Sequence, residues 1–230
     1  MTPPVIAIVV WLVAAYLLGS IPTSLLAARW AGGIDLRTFG SGNLGATNLY
    51  RALGLKVAAP VGAFDLLKGT IPVVLARVFH EGRLGGSPAE WWPLVVGLAA
   101  VTGHVFSPFV RFRGGKGVAT AAGAFLGLVP LAVLVGLGVW VVVVRFSGYV
   151  SLGSMLAVAA FTACLPPLYP QWRTATWAAV VVLAFVVFTH RANIARLLRG
   201  TENRFGRGGP RAAGAAGAPG VGGGDGDGAT

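Results

Sequence analysis

The sequence predicts an all-α integral membrane protein of about seven transmembrane helices, some of them short or broken, with the N-terminus outside and the C-terminus cytoplasmic. Three observations carry that expectation. Of 230 residues, 55% are hydrophobic and only 11% charged, with a mean hydropathy of +0.76, whereas a soluble domain carries about 25% charged residues. The apolar residues fall into long uncharged stretches, which is what crossing a bilayer requires. The 18 Lys and Arg outnumber the 7 Asp and Glu, for a net charge of +11, and they gather in alternate loops, as the positive-inside rule demands. In a soluble chain such an excess would point to nucleic acid. Here the apolar content excludes that partner, and the cations read as topology determinants and anion-binding groups.

A crossing helix needs about 20 apolar residues, and the first candidate is 5–28. No Lys or Arg precedes its apolar run, so it reads as a retained span and not a cleaved signal. The next candidates are 57–79, 91–110, 117–144, 150–165 and 174–189, the last with an amphipathic continuation toward 198. Stretch 117–144 would run about 42 Å as one helix against a hydrocarbon core of about 30 Å, and it contains Gly127 and Pro130. If it crosses twice, fourteen of the 18 cations lie on one side and three on the other, with Lys68 inside a span; a single crossing gives eight against nine. The asymmetry favours two crossings. Each half is then only about 21 Å long, and such short helices survive at membrane depth where they are buried in protein or line a cavity. The region is therefore expected in the active core. Residues 1–206 form the membrane domain, and 207–230 form a Gly- and Ala-rich tail expected to be disordered. The lone Cys164 allows no intrachain disulfide and no Cys-based metal site.

Under that topology three polar motifs face the cytoplasm. The first runs to Arg51 and holds Ser41, Gly42, Asn43, Gly45, Thr47 and Asn48. Small residues interleaved with amides and hydroxyls, closed by an arginine, suit a phosphate or carboxylate; an ordinary connecting loop is the plainer alternative. In the second motif Gly114, Gly115 and Gly117 flank Lys116 just before an apolar helix. That puts free N–H groups, the positive end of a helix dipole and an ammonium at one spot. It is not a Walker A loop, because Val110 and Gly117 stand where that pattern needs Gly and Ser or Thr. Arg111 and Arg113 read as anchors for anionic headgroups.

The third motif is HRANIARLLRGTE from His190 to Glu202. His190 and Asn193 share a helix face at i, i+3, which turns an otherwise interfacial histidine into a candidate for chemistry. Ser151 and Ser154 lie near the start of the sixth span, where serines also serve helix packing. Asp65 and Lys68, at i, i+3 within the second span, are expected to neutralise each other.

GSIPTS at 19–24, SGNLGATN at 41–48 with Arg51, GHVFSPF followed by GGKGVAT, SLGSM, and HRANIARLLRGTE occur in that order. Together they resemble the bacterial acyl-phosphate-dependent glycerol-3-phosphate acyltransferases, the PlsY family, over residues 18–206. The resemblance implies a multi-pass enzyme of the bacterial cytoplasmic membrane with its active site facing the cytoplasm. Such an enzyme moves a fatty acyl group from acyl phosphate to the sn-1 hydroxyl of glycerol 3-phosphate, giving lysophosphatidate and phosphate, the first acylation of phospholipid synthesis. Its acyl phosphate comes from an acyl-carrier-protein phosphate acyltransferase, and membrane lipids are its other partners. The resemblance also implies substrate-binding roles for Ser41, Gly42, Asn43, Thr47, Arg51, Gly114, Gly115 and Gly117. It implies catalytic roles for Lys116, His190, Asn193 and Ser154, the last in preference to Ser151, with Glu202 a lesser candidate.

Acyl phosphate is a mixed anhydride, so the hydroxyl can attack it directly, with no covalent intermediate, cofactor or metal; Asp35, Asp65 and Glu202 are too scattered for a metal site. The His-x4-Asp dyad of other acyltransferases is absent, since Phe109 stands five after His104. The hydroxyl proton passes either to His190 or to a substrate phosphate, while Lys116 and the glycine amides stabilise developing charge. Glycerol 3-phosphate is seated nearer Arg51 and acyl phosphate nearer Lys116, or the reverse. A transporter of a small anionic solute would also use broken helices and intramembrane charge, but it needs polar groups reachable from both sides. A lipid scaffold would have no use for a glycine-flanked lysine.

Overall fold

In the computed structural model, residues 5–84 and 91–205 are described, so the expected tail lies outside the described residues. Over those residues the regular structure is helical throughout. The chain opens with α1 (Val5–Ser20) and α2 (Thr23–Gly32), where a single helix over 5–28 was expected. Pro22 supplies no N–H and its ring crowds the preceding turn, so the helix stops and restarts. A loop leads to the short α3 (Ala46–Leu53) and the long α4 (Leu55–Leu84). Next, α5 (Trp91–Val105) ends short of residue 110 and hands over to a 3-10 turn at Pro108–Val110.

The 117–144 stretch divides as expected, into α6 (Val118–Leu126) and α7 (Pro130–Ser147). Pro130 fits the first position of α7, where its missing N–H has no partner to lose. The chain ends with α8 (Val150–Leu168), α9 (Arg173–Thr189) and α10 (Arg191–Leu198), the last two bent by 58°. By length and apolar character five segments are able to cross a bilayer, or six with α9 and α10 taken as one span. The nine-residue α6 is about 14 Å long, too short to count among them.

Two glycine pairs set the tightest crossings. A Cβ on Gly19 would fall 2.0 Å from Ala100 O and one on Gly103 2.1 Å from Tyr16 O, where α1 meets α5. Where α4 meets α6, a Cβ on Gly69 would fall 2.0 Å from Thr120 O, and one on Gly123 1.9 Å from Leu66 O. Lipid tails do not squeeze helices together as water does, so close backbone approach at small residues supplies much of the packing. It also holds α6 deep inside the bundle.

The main core joins α4, α5, α6, α8 and α9 through Val73, Leu94, Phe125, Phe161, Leu165 and Val182. A second core, with Leu25, Leu36, Leu49 and Val61, supports the loop before α3. Outside, Ile6, Val9, Val10 and Val13 of α1 and Leu131, Leu134, Val141 and Val142 of α7 are exposed. In water those faces would be far larger than the apolar patches soluble monomers show. They fit a hydrocarbon surround, and the chain is an integral membrane protein.

Candidate active site

The loop before α3 is folded around one side chain. Asn48 is buried; its Nδ2 donates to Phe39 O at 2.9 Å and Leu36 O at 3.4 Å, and its Oδ1 accepts from Ser41 N at 3.2 Å. Gly40 sits tight against it with φ of 57°, and Gly42 turns the chain with φ of 69°. The loop thereby turns Ser41 and Asn43 toward a cavity, and Thr47 and Arg51 join them from α3. Gly42 does not line that cavity; its role is the turn. Among the described residues Arg51 makes no ion pair. Burial pushes its pKa down, which the Glu202 charge opposes and Arg196 reinforces.

The second motif departs from expectation. The Gly114 amide donates to Val105 O at 2.9 Å and the Gly115 amide to His104 O at 3.0 Å, so neither N–H is free to cradle an anion. Neither residue lines the cavity. Both are glycines because they lie against His104: a Cβ would fall 2.0 Å from His104 O at Gly114 and 2.1 Å from His104 Nε2 at Gly115. Gly117, with φ of 81°, caps the start of α6 and does line the cavity. Lys116 lies there too, its ammonium donating to Asn193 Oδ1. Burial pushes the Lys116 pKa down to about 8, with Glu202 pulling it up and Arg196 and Arg51 pushing it further down.

The third motif closes the network. His190 sits at the break between α9 and α10, with Nδ1 2.8 Å from Val186 O. A carbonyl only accepts, so Nδ1 carries the proton and Nε2 keeps a lone pair. Asn193 donates through Nδ2 to Glu202 Oε1 at 2.7 Å. Glu202 also accepts from Ser151 Oγ at 2.9 Å and from Arg196 Nε at 2.7 Å. Burial pushes the Glu202 carboxyl up, but the hydrogen bonds from Asn193, Arg196 and Ser151 outweigh it and hold the pKa below the usual glutamate value. Ser154 lines the cavity, but its hydroxyl donates to Val150 O of its own helix at 2.9 Å. The serine that joins the network is Ser151.

Of the twelve residues singled out from sequence, nine line one cavity of about 480 Å³: Ser41, Asn43, Thr47, Arg51, Lys116, Gly117, Ser154, His190 and Asn193. Gly42, Gly114 and Gly115 stand behind it. The remaining walls are mostly apolar, with Phe125, Leu137, Trp140, Phe161 and Val182. Both α4 and α7 line the cavity while making little contact with each other. Asp65 and Lys68 form the expected ion pair at 2.8 Å, and Asp65 and His104 also reach the cavity wall. Sequence reasoning undervalued Glu202, whose signal was a single carboxylate among cations, and it left unread the pairing of Arg196 with Glu202 and the anchoring role of Asn48. Among the described residues no group of three His, Cys, Asp or Glu comes together to hold a metal.

Fold and site together define an integral membrane protein with an amphipathic cavity, whose mostly apolar lining includes the cations Arg51 and Lys116. The chain matches the family model for glycerol-3-phosphate acyltransferase over residues 9–200. Its curated relatives include the glycerol-3-phosphate acyltransferases of Trichlorobacter lovleyi, 50% identical over 198 residues (85% of this chain, 96% of the relative), and Geobacter sulfurreducens, 47% identical over 191 residues (83% and 94%). Among solved structures, PlsY, an integral membrane glycerol 3-phosphate acyltransferase, superposes in its glycerol 3-phosphate form with a TM-score of 0.77 at 39% identity, covering 87% of this chain and 96% of that one. Its lysophosphatidic acid form gives 0.75 at 37% identity, with the same coverage. The chain belongs to the glycerol-3-phosphate acyltransferase family and is an acyltransferase.

Proposed function

We propose that this enzyme transfers a fatty acyl group from acyl phosphate to the sn-1 hydroxyl of glycerol 3-phosphate, releasing lysophosphatidate and phosphate at the cytoplasmic face of a bacterial inner membrane. The observation that carries the reading is that Arg51, which makes no ion pair among the described residues, and Lys116 line the same cavity, whose remaining walls are mostly apolar. Two phosphorylated groups need two cations, and a fatty chain needs an apolar slot. The fatty chain enters from the bilayer between α4 and α7, a reading supported by both helices lining the cavity while making little contact with each other. Residues 1–206 make the catalytic unit. The topology that fits has seven crossings, with α6 as a short buried one, the N-terminus outside and the C-terminus inside, because it keeps the basic motifs on one side.

Glycerol 3-phosphate sits against Arg51, with Ser41, Asn43 and Thr47 around it. Acyl phosphate sits against Lys116, whose ammonium keeps two hydrogens for the substrate after binding Asn193. The sn-1 oxygen attacks the acyl carbon, the bond from that carbon to the phosphate oxygen breaks, and the electron pair leaves with phosphate. His190 Nε2 takes the hydroxyl proton and passes it to the departing phosphate. Lys116 steadies the charge that grows on the carbonyl oxygen and the leaving group.

Purified protein supplied with glycerol 3-phosphate is expected to turn over acyl phosphate and not acyl-CoA, with the acyl group found at sn-1. Equal or faster use of acyl-CoA would overturn the donor reading. His190→Gln keeps a hydrogen-bonding side chain but removes the base, and it is expected to lower kcat more than it raises either KM. Unchanged kcat would make a substrate phosphate the base.

A further inference from the structure

The intramembrane cluster around Asp65 takes no part in the chemistry above, yet it touches the lysine loop. Asp65 Oδ1 accepts from Thr23 Oγ1 at 2.8 Å and pairs with Lys68 Nζ at 2.8 Å, while Lys68 donates in addition to Ile21 O at 3.2 Å. One carboxylate thus ties α4 to the break between α1 and α2. His104, in the last turn of α5, is buried at 8% exposure with Nδ1 3.8 Å from Asp65 Oδ1, beyond hydrogen-bond range but close enough to orient the ring. The opposite edge of that ring meets the Gly115 backbone. All three atoms nearest a Cβ built on Gly115 belong to the His104 imidazole, at 2.1, 2.9 and 3.0 Å, and His104 O binds the Gly115 amide. His104 therefore holds the residue before Lys116 with both its carbonyl and its ring.

We propose that His104, oriented by the Asp65–Lys68 pair, is the positioning residue for Lys116: its imidazole is the platform that fixes the Gly114–Lys116 turn and delivers the ammonium to the cavity. An alkyl side chain would not serve equally, because the ring must present a thin, rigid edge toward Gly115 and a polar edge toward Asp65. The inference rests on Lys116 being the anion-holding group of the proposed reaction. The charged groups acting on Lys116 itself are Glu202, Arg196 and Arg51, and none of them belongs to the platform. Changes at His104 therefore reach Lys116 through its position and burial.

The test is a double-mutant cycle on the full chain in detergent, with kcat and KM for both substrates measured from about pH 6 to about pH 10. Gly115→Ala pushes a methyl into the ring and is expected to lower kcat/KM about a hundredfold, as misplacing a catalytic group by about 1 Å does. Its upper pH limb is expected to move above 8, because a displaced Lys116 is less buried. In the His104→Ala background the methyl has room, so adding Gly115→Ala is expected to cost at most about tenfold there, a strong coupling of the kind contacting residues show. Losses that simply multiply, or a limb that stays put, would overturn the proposal. If Gly115→Ala does not fold, His104→Gln and Asp65→Asn give the same reading: an upward-shifted limb supports the platform, and an unmoved limb overturns it. Lys116→Ala is run alongside. If it stays active, the reading of the site has failed, and this is distinguishable from an inactive Lys116→Ala accompanied by a silent His104.

Discussion

Asn193 bridges Lys116 and Glu202: its amide nitrogen donates to Glu202 Oε1 at 2.7 Å, while its amide oxygen accepts from the Lys116 ammonium. The amide relays the carboxylate's influence to a lysine that, among the described residues, has no carboxylate in direct contact. That arrangement keeps a half-buried ammonium charged without neutralising it, so it remains available to an anion. The buried Glu202 is in turn satisfied by Ser151 and Arg196, as a buried carboxylate must be.

Lys116 has its pKa lowered from 10.5 to about 8, first by burial. Lowering means that the proton leaves earlier as pH rises, so the anion-holding charge is present below about 8 and lost above it. kcat/KM for the phosphorylated substrates is expected to fall tenfold per pH unit above about 8, the slope for loss of one proton. Lys116→Arg keeps its charge throughout, and the fall is expected to vanish from its profile even if its rate is lower.

Glu202 raises the Lys116 pKa, so removing its charge acts in the opposite direction to loosening the loop. For Glu202→Gln the upper limb is expected to move below about 8. An upward move would show that Glu202 acts by burying the lysine and not by its charge. Asn193→Ala, which removes the relay, is expected to lower activity more than Glu202→Gln.

Arg51 is half-buried without an ion-pair partner among the described residues. Arg51→Ala is expected to raise KM for glycerol 3-phosphate about tenfold to a hundredfold, the weight of a hydrogen bond to a charged group. Thermal stability in detergent is expected to hold or rise, because an uncompensated buried charge goes with it. A loss of folding without a KM effect would assign Arg51 to structure.

At the α4–α6 crossing, a Cβ on Gly123 would overlap Leu66 O at 1.9 Å. Gly123→Val is expected to destabilise by about 1–3 kcal/mol, the usual penalty of overpacking, read from the thermal midpoint in detergent. Gly138 on α7 faces open space, with nothing within 4 Å of a built Cβ. Gly138→Val is expected to leave the midpoint unchanged.

Residues 208–230 are mostly Gly and Ala and hold almost nothing large and apolar. Deleting residues 208–230 is expected to keep kcat within about twofold, a change of about 0.5 kcal/mol or less, because a segment of this composition carries few side chains able to pack or to bind substrate. A folded but inactive truncation would give the tail a catalytic role.

The helical membrane fold and most of the site were legible because both are written locally. Uncharged length marks a span, and a Gly-, Ser- and Asn-rich segment ending on Arg51 marks an anion loop wherever the bundle puts it. Gly114 and Gly115 were misread for the same reason. A glycine beside a lysine looks identical in sequence whether it frees an amide for a ligand or makes room for an imidazole, and only the position of His104 on α5 decides between them. Ser151 and Ser154 present the same problem, since one helix turn separates a hydroxyl that meets Glu202 from one that returns to its own backbone.

Composition and charge asymmetry by themselves determined that this chain lives in a bilayer, and its motifs determined which residue types its chemistry draws on. Tertiary structure alone decided that Arg51, Lys116 and Glu202 line one cavity, that the α1–α2 break lies at Pro22, and that two glycines serve packing. The reason is physical: hydrophobicity and turn chemistry act between neighbours in the chain, whereas the field and burial that set the Lys116 pKa come from groups up to 86 positions away along it, brought close only by the packing of α3, α6 and α10.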